Sequence, residues 1–108
     1  MYVRGDDEWV AETVGRVIAA GYRAFCLTVD TAVVSRRERD IAKRVAPTSP
    51  QSKGARNFQA KLSWTTVEMI KSKFEVPLVL KGIVHPEDVE RALDYNVDVI
   101  YVLSLIHI

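Results

Sequence analysis

Polar and apolar positions alternate in blocks along this chain, and the blocks change period. From Asp6 to about Ala20, Val10, Val14, Val17 and Ile18 recur at helical spacing and make one apolar face. Asp6 or Asp7 suits the free N–H groups of the first turn, and Gly21 suits the residue just past the helix end. Ala24-Phe25-Cys26-Leu27-Thr28-Val29 is a short, almost unbroken apolar run. A run of that kind predicts a strand covered on both faces. Ser63 or Thr65 is placed to cap a second helix with Val67, Ile70 and Phe74 on one face, and Pro77 to Leu80 reads as a second buried strand ending in Lys81-Gly82. His85 precedes Pro86 at the start of a third helix, whose apolar stripe is Val89, Ala92 and Leu93. Asp98 to Val102 reads as one more strand. Between the first strand and the second helix lie a charge-dense stretch, Ser35 to Arg44, and an irregular segment from Pro47 to Ser63 that predicts a long loop.

Helices alternating with buried-type strands predict parallel α/β architecture, either an eightfold barrel or an open doubly wound sheet. No GxGxxG or P-loop occurs, so the dinucleotide and nucleoside-triphosphate versions lack support.

Composition narrows the class further. The 108 residues hold 15 Lys plus Arg, 14 Asp plus Glu and 48% hydrophobic residues, the makeup of a globular protein with one core. A net charge of +1 predicts no polyanion partner. The single Cys26 excludes an intrachain disulfide framework and a cysteine-only metal site. No apolar run approaches the roughly 18 residues of a spanning helix, and the first residues are too polar for a signal peptide. A reducing, cytoplasmic location is the expectation.

In parallel α/β folds the working groups sit at the C-terminal ends of strands. That rule selects Thr28 and Asp30 after the first strand and Lys81 after the second. It also selects Tyr2, if Tyr2-Val3 is the tail of a preceding strand. An ammonium ending an apolar strand needs an anion or a path to water, so Lys81 is either a snorkelling side chain or a charge held for an anionic ligand. Asp30 reads first as a turn or cap residue, the commoner case after a strand, and second as a base or a partner that orients a histidine. The basic cluster from Arg36 to Arg44 interleaves Glu38 and Asp40 and holds no aromatic residue, so it predicts a solvated face and no nucleic acid. His85 reads as a cap, Trp9 and Trp64 as packing residues, and Cys26 as an inert small hydrophobe.

Leu27-Thr28-Val29-Asp30-Thr31, Arg36-Arg37-Glu38-Arg39-Asp40, Phe58-Gln59-Ala60-Lys61-Leu62-Ser63-Trp64, Leu78-Val79-Leu80-Lys81-Gly82-Ile83 and Pro86-Glu87-Asp88 follow one another in this chain. Together with Tyr2-Val3-Arg4, this series resembles the FMN-dependent α-hydroxy acid dehydrogenases, a family that includes glycolate and lactate oxidases and mandelate dehydrogenase. The resemblance implies part of a TIM (β/α)8 barrel, from the end of strand three through strand six, across residues 1–102. It implies FMN as cofactor and a small (S)-2-hydroxy acid as substrate, oxidised to the 2-oxo acid by hydride transfer to the flavin. The electron acceptor stays open between oxygen, a quinone and a cytochrome. A quinone would imply membrane association, and the full-length enzyme is expected to be a homo-oligomer. By the same resemblance Tyr2 hydrogen-bonds substrate, Thr28 contacts the flavin, and Asp30 supports the catalytic histidine. Arg37 lies on the substrate side, and Lys81 stands at the flavin N1 and O2 edge.

Ala32 and Ser35 depart from the proline and glycine of many members. After Val102 the family pattern Ser-Asn-His-Gly-Gly-Arg is replaced by Leu103-Ser104-Leu105-Ile106-His107-Ile108, and His107 matches the catalytic histidine in neither register nor context. That hexapeptide is the translation of CTG TCT CTT ATA CAC ATC, a transposon-adapter end sequence, so residues 103–108 are expected to be a non-native tail. The chain is therefore expected to be an internal fragment, inactive by itself and weak in FMN binding. The competing expectation is a small non-catalytic α/β binding or interaction module, which would unfold cooperatively, whereas a fragment would expose open strand edges and aggregate.

Overall fold

Three short strands lie parallel in the same order in which they occur along the chain. The structure, a computed structural model, describes residues 1–31 and 58–102. Its elements are α1 (Asp7–Ala19), β1 (Phe25–Thr28), α2 (Trp64–Lys73), β2 (Leu78–Lys81), α3 (Pro86–Asp94) and β3 (Val99–Tyr101). Arg37 and the 103–108 tail fall outside the described residues. So do residues 32–57, which take in the charge-dense stretch and most of the expected long loop.

Local chemistry sets the helix ends. Asp6 caps α1 by accepting from the Trp9 N–H at 3.0 Å, and Asp7 and Glu8 follow in the first turn, where negative charge meets the positive end of the helix dipole. Gly21 takes φ +83° just beyond the C-cap Ala20, a conformation cheap only for glycine. Ser63 holds the N-cap position of α2, yet its hydroxyl pairs with Thr65 Oγ1 at 2.6 Å and caps no backbone N–H. His85 precedes α3 with Pro86 in the first turn, again with no capping bond from its side chain.

Register sorts the strand residues onto two faces. Phe25 pairs with Leu78, Cys26 with Val79, Leu27 with Leu80 and Thr28 with Lys81. Val79, Leu80 and Lys81 in turn pair with Val99, Ile100 and Tyr101. Because side chains alternate along a strand, Phe25, Leu27, Leu78 and Leu80 share one face. All four are buried there with Val10, Val14, Val67, Ile70 and Ala92 of the helices. Cys26, Val79, Val99, Lys81 and Tyr101 take the other face, and Cys26, Val99 and Tyr101 are exposed. Among the described residues the helices cover one face only; on the other face of β1 Thr28 is buried but Cys26 is exposed, where burial on both faces was expected. Two helix stripes are also narrower than their periodicity predicts. Ile18 and Leu93 are exposed, each lying one residue, about 100° around the helix, beyond a better-buried neighbour (Val17 and Ala92). Trp64 and Tyr95 stack at 5.4 Å between ring centroids, in keeping with a packing role for Trp64.

A fourth edge continues the sheet. The Met1 α-amino group donates to the Cys26 carbonyl, and the Thr28 N–H donates to the Met1 carbonyl at 2.9 Å. That alternation is a parallel ladder. Residues 1–3 thus lie beside β1 on the side away from β2. At the opposite end of the strands, Asp98 ties β2 down: its Oδ2 accepts from the Leu78 N–H at 2.7 Å and from Lys71 Nζ at 2.8 Å.

Candidate functional site

The C-terminal ends of the four parallel segments form one row. Pairing of Met1 across from Leu27 brings Tyr2 level with Thr28, which pairs with Lys81, which pairs with Tyr101. Alternation turns Tyr2 to the open face, where it is exposed, while Val3 points into the core and is buried. A phenol, a hydroxyl, an ammonium and a second phenol therefore stand side by side at the strand ends.

Asp30 joins the row two residues past Thr28. Its Oδ2 lies 3.6 Å from Lys81 Nζ, an ion-pair contact too long for a hydrogen bond. The Asp30 side chain is 8% exposed and that of Lys81 26% exposed. Lys81 meets both of its requirements at once, an anion beside it and a path to water. Asp30 Oδ1 and Thr31 Oγ1 are buried with no hydrogen-bond partner among the described residues. An unpaired buried carboxylate oxygen is costly, and it leaves acceptor capacity for a donor brought to this point.

Gly82 lets Asp30 come this close. It has φ +108°, and a Cβ built there would lie 2.4 Å from Asp30 Cβ and 2.7 Å from Asp30 Cγ. Backbone bonds brace the same region: the Val29 N–H donates to the Lys81 carbonyl at 2.9 Å, and the Gly82 N–H to the Tyr101 carbonyl at 3.0 Å.

Four of the five residues singled out from the sequence, Tyr2, Thr28, Asp30 and Lys81, thus gather at one end of the open face. The structure adds Gln59, which the sequence did not single out. Its buried carboxamide accepts from the Val3 N–H at 2.5 Å and donates to the Thr28 carbonyl at 2.8 Å. The signal in the chain was its place in the Phe58-Gln59-Ala60-Lys61-Leu62-Ser63-Trp64 motif, as an uncharged side chain able both to donate and to accept. A cavity of about 280 Å³, lined by Val29, Leu80, Val67, Trp64 and Gln59 among others, lies on the helix side of the strand ends. It is therefore separate from the polar row. No cluster of three metal-ligating side chains occurs among the described residues.

The chain is 33% identical to an L-lactate oxidase of Nostoc sp. over 94% of its own length and 34% of the relative's. It is 34% identical to a peroxisomal (S)-2-hydroxyacid oxidase of Arabidopsis thaliana, covering 94% of this chain and 33% of that one. A crystal structure of mandelate oxidase with benzoyl-formic acid superposes with a TM-score of 0.76 at 32% identity, covering 93% of this chain and 30% of the other. The chain spans about a third of the length of the curated relatives it matches. Sequential parallel order together with this likeness makes the fold a section of a (β/α)8 barrel rather than of a doubly wound sheet. Residues 1–104 match the FMN-dependent dehydrogenase family, and the chain belongs to it.

Proposed function

We propose that this chain forms the central strand-end section of a flavoenzyme that oxidises small 2-hydroxy acids to 2-oxo acids. The observation that carries the reading is the convergence of Tyr2, Thr28, Asp30 and Lys81 at one end of an open sheet face. These residues fit FMN at its ring edge. Lys81 makes no hydrogen bond among the described residues, so its ammonium has donors for an edge that gathers negative charge, and preorganised charge of that kind is the larger sort of catalytic contribution. Thr28, itself buried, stands beside it in register and supplies a hydroxyl at the same strand end. Bound FMN supplies the hydride acceptor for the substrate α-carbon.

The remaining roles belong to the protein. Tyr2, exposed at the rim of the row, donates its phenol proton to substrate oxygen. The unpaired Oδ1 of Asp30 accepts from the ring N–H of a histidine base, holding its tautomer and stabilising its protonated form once the substrate hydroxyl proton has moved. By the family resemblance Arg37, outside the described residues, is assigned to substrate binding.

The test is a segment exchange in which residues 1–102 replace the matching third of the Nostoc L-lactate oxidase. Flavin content reports whether the hybrid folds. Reduction of its bound flavin by lactate, glycolate or mandelate supports the reading. A folded, flavin-loaded hybrid that none of the three reduces overturns it.

A further inference from the structure

The parallel ladder between residues 1–3 and β1 stops one rung early. Its first two bonds run from the Met1 α-amino group to the Cys26 carbonyl and from the Thr28 N–H to the Met1 carbonyl. The next rung of a parallel ladder is the Val3 N–H donating to the Thr28 carbonyl. That bond is absent, although both groups are present and buried. The Gln59 carboxamide occupies the rung instead, with Oε1 accepting from the Val3 N–H at 2.5 Å and Nε2 donating to the Thr28 carbonyl at 2.8 Å. A carboxamide offers the same donor and acceptor as a peptide group, so it satisfies both without loss while separating the two backbones by its own width.

We propose that Gln59 is a positioning residue whose amide wedges the Tyr2-Val3 segment apart from the end of β1 and thereby sets where Tyr2 stands relative to Thr28 and the Asp30–Lys81 pair. The neighbours of each group explain why the wedge reaches the site. Val3 follows Tyr2 directly, so the bond that fixes its N–H fixes the Tyr2 peptide. Thr28 is the register partner of Lys81, and Asp30 lies two residues further on, 3.6 Å from Lys81 Nζ. Without the wedge the direct rung would close, carrying Tyr2 toward β1. Gln59 acts through its bonds to Val3 and Thr28, and its importance for catalysis rests on the function proposed above.

The test uses Gln59→Met, close in size but unable to bond either group, and Gln59→Glu, which always accepts but donates only when protonated. Both are followed by NMR in the full chain or in any longer polypeptide carrying it. Core methyl resonances of Leu27, Leu78 and Leu80 report the fold. In Gln59→Met the direct rung is expected to close, so the Tyr2 ring and Lys81 side-chain resonances move while the Val3 amide stays protected from exchange. In Gln59→Glu the carboxylate keeps the Val3 bond but loses the one to the Thr28 carbonyl, so a displacement of Tyr2 and Lys81 is expected at neutral pH and is reversed in acid. Asp88 across the cavity, Asp30 and Lys81 beyond Thr28, and the Met1 amino group are the charged neighbours that set where the reversal falls.

Tyr2 and Lys81 resonances that stay at their wild-type positions in a folded Gln59→Met overturn the proposal. If Gln59→Met loses its core, Gln59→Glu in acid decides: failure to return to the wild-type spectrum at the same pH overturns it. Flavin affinity of the segment-exchange hybrid separates the two readings. A folded hybrid that binds no FMN would count against the flavin site and leave the wedge standing.

Discussion

Replacing Gly82 with alanine tests the geometry of the site through its tightest contact. Two costs arise. An L-residue held at φ +108° is strained by about 1–3 kcal/mol. The new methyl would also lie 2.4 Å from Asp30 Cβ, inside the 3.0 Å that real Cβ contacts essentially never breach. Asp30 must therefore retreat by several tenths of an ångström, and it is buried, so the movement carries an overpacking cost of roughly 1–3 kcal/mol more. The expected loss is about 3 kcal/mol, and at roughly 4–8 °C per kcal/mol the melting temperature falls by more than about 10 °C. Guanidinium unfolding of wild type and Gly82→Ala, in the chain or in a longer polypeptide carrying it, gives the difference directly. The partner variant Asp30→Gly removes the atoms that collide, so the double variant is expected to recover roughly 1 kcal/mol or more of coupling. A Gly82→Ala protein within about 1 kcal/mol of wild type, or one showing no coupling to Asp30→Gly, would refute the reasoning.

Other outcomes follow from the same structure. Asp98 has its carboxyl held below the ordinary value of 3.8 by the hydrogen bond from Lys71 and then by the Leu78 N–H. A depressed carboxyl stabilises the fold at pH values above its ordinary value, and that contribution disappears as pH falls through the lower folded-state value. Acid titration followed by circular dichroism should therefore show a shallower loss of stability in Asp98→Asn than in wild type. Lys81→Met leaves the buried Asp30 carboxylate without the cation beside it and should cost more than about 1 kcal/mol of stability, although the pair itself is long. In the segment-exchange hybrid the same change should weaken flavin affinity roughly tenfold or more, measured by fluorescence titration. Leu27→Ala removes a fully buried side chain on the helix face and should cost about 2–5 kcal/mol in the same unfolding experiment. Asp6→Ala should cost about 0.5–2 kcal/mol through loss of the α1 cap.

Where a property is local, the chain itself states it. The N-cap Asp6, the positive-φ Gly21, Pro86 at the start of α3 and the apolar runs of β1 and β2 all mark elements within about two residues of their observed ends, because caps and periodicity act over a single turn or strand. The strand-end rule likewise selected Tyr2, Thr28, Asp30 and Lys81, and the motif series pointed to the family. Helix stripes were legible only in part. Val10, Val14, Val67, Ile70 and Ala92 are buried, whereas Ile18 and Leu93 are not, since periodicity reports amphipathicity and cannot say how wide a face the neighbouring layer covers.

Everything that depends on strand order came from the tertiary structure. The alternation of helices and strands is equally compatible with a barrel and a doubly wound sheet, and the order β1-β2-β3 with its register is a long-range outcome of backbone pairing that no local pattern encodes. That register sets Lys81 beside Thr28 and Tyr101 and leaves Cys26 on an open face. Folding alone brings Gly82 against Asp30, 52 positions earlier, and Gln59 between Val3 and Thr28. The sequence thus determined which chemical groups stand at the strand ends. Their spacing was decided by contacts between residues far apart in the chain, because steric exclusion at Gly82 and a borrowed ladder rung at Gln59 exist only once the strands have met.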